Sequence, residues 1–253
     1  MKLSEMTWPD VAALSKETVV VFPIGSLEQH SHHLPFFTDS LILGSIVDEI
    51  DQRIGDRILV LPLQWLGYSY HHTPFGGTIT AASDTHIALL VETVESLVRP
   101  GFSRFLMLNG HGGNISDMGV ARQKLKERHP KAQVWGTSYW NVARSEIEAI
   151  RESPIGGIGH AGEMETSLML HLYPRLVRRN RMEPDGLPSK SQFGLKDMFE
   201  IGTVSDFPMF DACTQHGGFG DPSTASAEKG ARFLRAIVNK VIAVIADIEA
   251  KHL

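Results

Sequence analysis

The chain of 253 residues contains a single cysteine, Cys213. One cysteine excludes a disulfide within the chain and a thiolate-rich metal cluster, so any metal must be held by imidazole and carboxylate groups. A basic excess is also missing. The 24 Lys and Arg stand against 29 Asp and Glu, a formal charge of -5, which argues against nucleic acid or an anionic membrane as partner and for a small-molecule substrate. No apolar run is long enough to span a bilayer, and Met1 to Asp10 lacks the apolar core of a secretory signal, so a cytoplasmic location is expected. There is no internal repeat and no low-complexity segment. The length fits one α/β domain over 1–253.

Histidine, by contrast, is plentiful, with 12 in the chain. Two short stretches concentrate metal-ligating types: Glu28-Gln-His30-Ser-His32-His33 through Thr38-Asp39, and Asn109-Gly-His111-Gly-Gly-Asn114. Each follows an apolar run, Val19 to Phe22 and Phe105 to Leu108 respectively. Both therefore sit where a buried strand delivers side chains to the edge of a sheet, the usual place for chemistry in open α/β proteins.

Apolar runs rich in β-branched residues predict strands at 18–24, 57–63, 103–108 and 133–138. Helical spacing predicts helices over 40–53, 83–99 with Ser83 or Asp84 as N-cap, and 114–129 stopped by Pro130. This alternation argues for a mainly parallel sheet covered on both faces. A polar helix is expected around 141–152, and a glycine-rich loop then feeds a helix opening at His160. Residues 177–222 show little periodicity and read as an ordered excursion over the surface or into a neighbouring subunit. A long final helix, capped by Ser223 or Thr224, runs through Ile248.

If Glu28 and His30 are still extended, their spacing of two turns both side chains to one side. Asp39 opens the next helix, where a carboxylate has a fixed direction and two free oxygens, suited to bridging two cations. His111 projects from a strand end. In His160-Ala-Gly-Glu163-Met-Glu165 the spacing of three puts His160 and Glu163 on neighbouring positions of one helix face, leaving Glu163 to bind metal and His160 free. Glu28, His30, Asp39, His111 and Glu163 would then hold two divalent cations, zinc first, with manganese or iron as alternatives. Taken singly, each has an ordinary reading: an Asp that starts a helix is usually a cap, and a His beside a strand usually a hydrogen-bonded structural residue. Their co-occurrence at strand ends and helix starts favours ligation.

At these residues the sequence resembles the creatininase (creatinine amidohydrolase) family. The matching pieces are Met6-Thr-Trp-Pro, Pro23-Ile-Gly-Ser-Leu-Glu-Gln-His30, His33-Leu-Pro with Thr38-Asp39, Phe75-Gly-Gly-Thr-Ile, Asn109-Gly-His-Gly-Gly-Asn114, Ser138-Tyr-Trp140, His160-Ala-Gly-Glu-Met-Glu-Thr-Ser, and 223–230. The resemblance implies a three-layer α/β sandwich, a homohexamer and a two-metal hydrolytic site. It makes Glu28, Asp39 and His111 ligands of one ion, and His30 and Asp39 ligands of the other. The family's further carboxylate falls at Gly113 here, so Glu163 is expected to replace it, with Glu165 as the fallback. The family's Glu before the later His and its nearby Trp fall at Gly159 and Gly156, which moves the substrate away from creatinine.

The expected activity is hydrolysis of a small amide, formamide or cyclic carbonyl compound through a metal-bridging hydroxide, with His160 as general acid/base. Trp140, Phe75 and His72 would contact substrate. Two alternatives stand beside it: a carbon–carbon bond hydrolase of an inosose-type ketone, and a catalytically silent metal-binding assembly protein. Arg175, Arg178, Arg179 and Arg181 form a cluster that could meet a phosphorylated substrate.

Overall fold

The structure is a computed structural model, and it describes residues 1–186 and 189–252. Four strands, β1 (Val19–Ile24), β2 (Ile58–Val60), β3 (Arg104–Asn109) and β4 (Gln133–Ser138), form one parallel sheet in the order β2-β1-β3-β4. Among the described residues eight α-helices accompany them: α1 (Trp8–Ala13), α2 (Thr38–Ile54), α3 (Ser83–Val98), α4 (Asn114–Arg128), α5 (Tyr139–Val142), α6 (Arg144–Ile150), α7 (Glu163–Leu172) and α8 (Ala227–Glu249).

All six residues of β1 and of β3 are buried, as central parallel strands require when both faces are covered. Their side chains alternate between two cores. Val19, Val21, Leu106 and Leu108 pack with the apolar faces of α2, α7 and α8, whereas Val20, Phe22, Phe105 and Met107 pack with α3 and α4. The result is the three-layer sandwich expected from the alternation of elements.

The order of strands fixes where a site can form. From β1 the chain moves to β2 on one side through α2, and from β3 it moves to β4 on the other side through α4, on the opposite face. The connections therefore diverge at the carboxyl ends of β1 and β3 and leave a crevice there. Ile24 and Asn109 lie level in the register, so the segments carrying Glu28 and His111 emerge side by side.

Several local expectations change. Ser83 does not cap α3, whose N-cap is Ala82; its hydroxyl donates instead to Asp117 (2.6 Å), which also accepts from His86 Nδ1 (2.9 Å). The cap of α8 is Ser226, accepting from the Lys229 amide at 3.2 Å, rather than Ser223 or Thr224. The polar helix breaks into α5 and α6 at Ala143. Within the irregular stretch 177–222, Leu187 and Pro188 lie outside the described residues; the described part crosses the mouth of the crevice. Among the described residues no helix is long and apolar enough to cross a membrane.

Candidate metal centre

Three carboxylates and three imidazoles converge at the carboxyl ends of β1 and β3. β1 stops at Ile24, and Glu28 and His30 lie beyond it in a tight turn, not in an extension of the strand. They face one site because the His30 Nδ1–H donates back to the Glu28 carbonyl (3.1 Å). Asp39, in the first turn of α2, directs Oδ1 at His30 Nε2 (3.0 Å) and Oδ2 at His111 Nδ1 (3.1 Å), and Oδ2 also accepts from the Ser26 hydroxyl (2.7 Å). Glu28 Oε1 lies 3.1 Å from His111 Nδ1 and 3.5 Å from His160 Nδ1.

One pattern runs through the imidazoles. His30, His111 and His160 each spend one ring N–H on a backbone carbonyl: Glu28 at 3.1 Å, Tyr68 at 3.0 Å and Gln29 at 2.7 Å. Each then turns its other nitrogen toward the carboxylates. Metal-binding histidines are held in this way, since the outer hydrogen bond fixes tautomer and ring direction. Both oxygens of Glu28 are buried without any hydrogen bond. An unpaired buried carboxylate is costly, and a cation would relieve it; divalent cations fit this donor set. Three-donor groups with ligand atoms within 4.8 Å of one another occur here as Glu28, Asp39 and His111, as His30, His160 and Glu165, and as Glu28, His72 and His160.

Titration directions agree. Burial raises the Glu28 carboxyl above its ordinary value, and burial raises Glu165 to about 7. Burial opposes charge on His30, but the Asp39 carboxylate outweighs it and lifts that imidazole to about 9. At neutral pH the metal-free cluster thus holds protons that cations would displace, so metal uptake releases protons and weakens on acidification.

Glu163 does not join this cluster. It is fully buried, but its carboxylate pairs with Lys229 Nζ (2.7 Å) and accepts from the amides of Glu152 (3.0 Å) and Ser153 (2.8 Å). Glu165, two residues later and so roughly 200° around α7, directs Oε2 toward His30 Nε2 at 3.9 Å while accepting from the Ala161 amide at 2.7 Å. The carboxylate that faces the cluster is thus that of the fallback position, Glu165, and not that of Glu163. Packing also explains the two glycines. A Cβ at Gly113 would overlap the Tyr68 carbonyl oxygen and His111 Nε2, and one at Gly159 would overlap the Phe219 carbonyl oxygen.

A cavity of about 310 Å³ opens above the cluster. Trp140, His72 and His160 line it, whereas Phe75, half-buried, is not part of its wall. Its remaining walls, apart from His71 and Asp197, are mostly apolar and come largely from the irregular stretch: Leu195, Met198, Ile201, Phe207, Phe210 and Phe219. Asp197 anchors this stretch by accepting from Arg151 (2.9 Å) and the Gly156 amide (3.1 Å). None of Arg175, Arg178, Arg179 and Arg181 lines the cavity.

Gln29, inside the Glu-Gln-His element, has a role that residue types alone did not assign. Its side-chain Nε2 donates to the Gly217 carbonyl (2.7 Å) and to His72 Nδ1 (2.8 Å), and its backbone carbonyl receives His160. His71 also lines the cavity, its Nδ1 buried without a partner. The His71-His72 doublet was the only signal of it.

Comparison with known proteins decides the family. The creatininase family model, creatinine amidohydrolase, matches residues 4–245. The chain belongs to the creatininase family. This creatininase-family chain is 30% identical over 242 residues to the mycofactocin precursor peptide peptidase of Mycobacterium tuberculosis, covering 90% of this chain and 84% of that protein. It is 29% identical to the creatinine amidohydrolase of Pseudomonas putida, covering 97% of this chain and 96% of that protein. A crystal structure of creatinine amidohydrolase superposes with a TM-score of 0.79 at 29% identity, over 97% of this chain and 96% of that one. Creatininase has been solved in a manganese form and in a Zn–Zn form, in keeping with divalent-metal use by the family fold.

Proposed function

We propose that this creatininase-family protein is a metal-dependent amidohydrolase that cleaves a C–N bond beside an apolar group, with a peptide amide as the leading form of that bond. The observation that carries the reading is the His and carboxylate cluster at the base of a cavity whose outer walls are mostly apolar. Glu28, Asp39 and His111 would hold one cation; His30, Asp39 and Glu165 would hold the other, with Asp39 common to both. Bound divalent cations would polarise the substrate carbonyl and acidify water at the centre.

The protein's own groups supply the rest. His160 is held by the Gln29 carbonyl with Nδ1 facing the cluster, positioned to take a proton and pass it to the leaving nitrogen. Burial keeps its imidazole well below the ordinary value, so it is neutral and able to accept. Trp140, Phe207 and Phe219 would exclude water and grip the apolar flank. A polyol ketone would need several hydroxyl-binding groups on these walls, which, beyond the cluster, His72 and His160, offer chiefly His71 and an Asp197 already engaged by Arg151 and the Gly156 amide. Similarity to the M. tuberculosis peptidase supports a peptide amide.

The test is a series of metal-loaded assays on amides that differ only in the size of the group beside the carbonyl. Turnover (kcat/KM) should rise with apolar size, and Phe207→Ala should remove about tenfold of that gain, roughly 1.4 kcal/mol, mostly through KM. Equal rates on large and small amides, or preference for creatinine or an inosose, would reject the reading.

A further inference from the structure

We infer that His32, Glu183 and His216 form a separate surface site for a divalent cation, with zinc the fitting ion. His32 Nδ1 lies 3.4 Å and His216 Nε2 lies 3.6 Å from the same oxygen, Glu183 Oε1. All three donor atoms fall within 4.8 Å of one another. With zinc–ligand bonds of about 2.0–2.1 Å, neighbouring donors of a tetrahedron stand about 3.3–3.4 Å apart. The side chains thus already sit close to the edges of such a polyhedron, before any ion draws them together. Two imidazoles and one carboxylate suit zinc better than calcium or magnesium, which prefer all-oxygen shells.

The three residues come from distant parts of the chain, and the backbone holds each in place. Ser31 adopts a left-handed conformation (φ 56°), a strained state for a residue with a side chain. It reverses the chain so that His30 enters the buried cluster and His32 turns outward, half exposed. Asp185 fixes the segment carrying His216: its carboxylate accepts from the amides of Gln215 (3.0 Å), His216 (2.6 Å) and Gly218 (3.2 Å). Glu183 stands two residues before Asp185. The imidazoles of His32 and His216 approach to 4.5 Å between ring centres, close enough for one cation to take a nitrogen from each.

A bound ion would tie the segment at 214–218 to the turn at 30–32. The surface site is independent of how many ions the buried centre takes, so it can fail while the amidohydrolase reading stands, and the reverse.

The experiment is equilibrium dialysis of the full chain against Zn²⁺ alone, with zinc counted per chain by elemental analysis. The double variant His32→Ala/His216→Ala should bind one ion fewer than wild type, and Glu183→Gln should show the same loss, both with amide turnover unchanged. An equal count in variant and wild type overturns the inference. So does loss of more than one ion, or uptake at this site only at millimolar zinc.

Discussion

Asp39→Ala is expected to abolish turnover, by at least about 10⁴-fold, the equivalent of more than about 5 kcal/mol of transition-state stabilisation. The size follows from geometry. One carboxylate oxygen faces His30 and the other faces His111, so a single substitution removes a donor from both proposed cation positions. It also removes the partner of the Ser26 hydroxyl. Elemental analysis of the purified variant should find the centre depleted, and added metal should not restore the rate. A variant that binds metal normally and turns over within tenfold of wild type would remove Asp39 from the centre.

The second large effect belongs to His160. His160→Ala should lower kcat by about 10²–10⁴ while metal content stays at the wild-type level. The imidazole lies within reach of Glu28 Oε1, so the metal count is the informative half of the experiment; loss of an ion would make His160 a ligand. The pH dependence carries a further sign. A depressed folded-state value means the basic imidazole is present above that value and is lost only when pH falls through it. At saturating metal, kcat should therefore stay flat through the ordinary imidazole range. Any acid limb should instead track competition between protons and cations, and shift when metal concentration is raised.

Much of the architecture was legible because apolar periodicity reports burial. The run Val19 to Ile24 is buried at every residue, and β4 has the predicted bounds of Gln133 and Ser138. The cluster was legible where candidate donors follow directly on strand ends or open a helix, as for His111 and Asp39. It was misread where the phase of a helix start decides direction. His160-Ala-Gly-Glu-Met-Glu offers two carboxylates, and Ala161 sits in a left-handed conformation (φ 56°). That reversal is invisible to residue spacing; it sends Glu163 to Lys229 and Glu165 to the centre. The cavity walls were hidden for a different reason. Leu195, Ile201, Phe207 and Phe210 lie in a stretch without periodicity, and the contacts of Phe207 with His71 and of Phe210 with His72 are long-range.

Metal stoichiometry in two variants, Glu165→Gln and Glu163→Gln, tests the centre most directly. Glu165→Gln should bind one ion fewer than wild type and lose activity. Glu163→Gln should bind as many ions as wild type, while breaking its buried pair with Lys229 costs about 3–5 kcal/mol of folding stability. Loss of an ion from Glu163→Gln together with full metal content in Glu165→Gln would contradict the account.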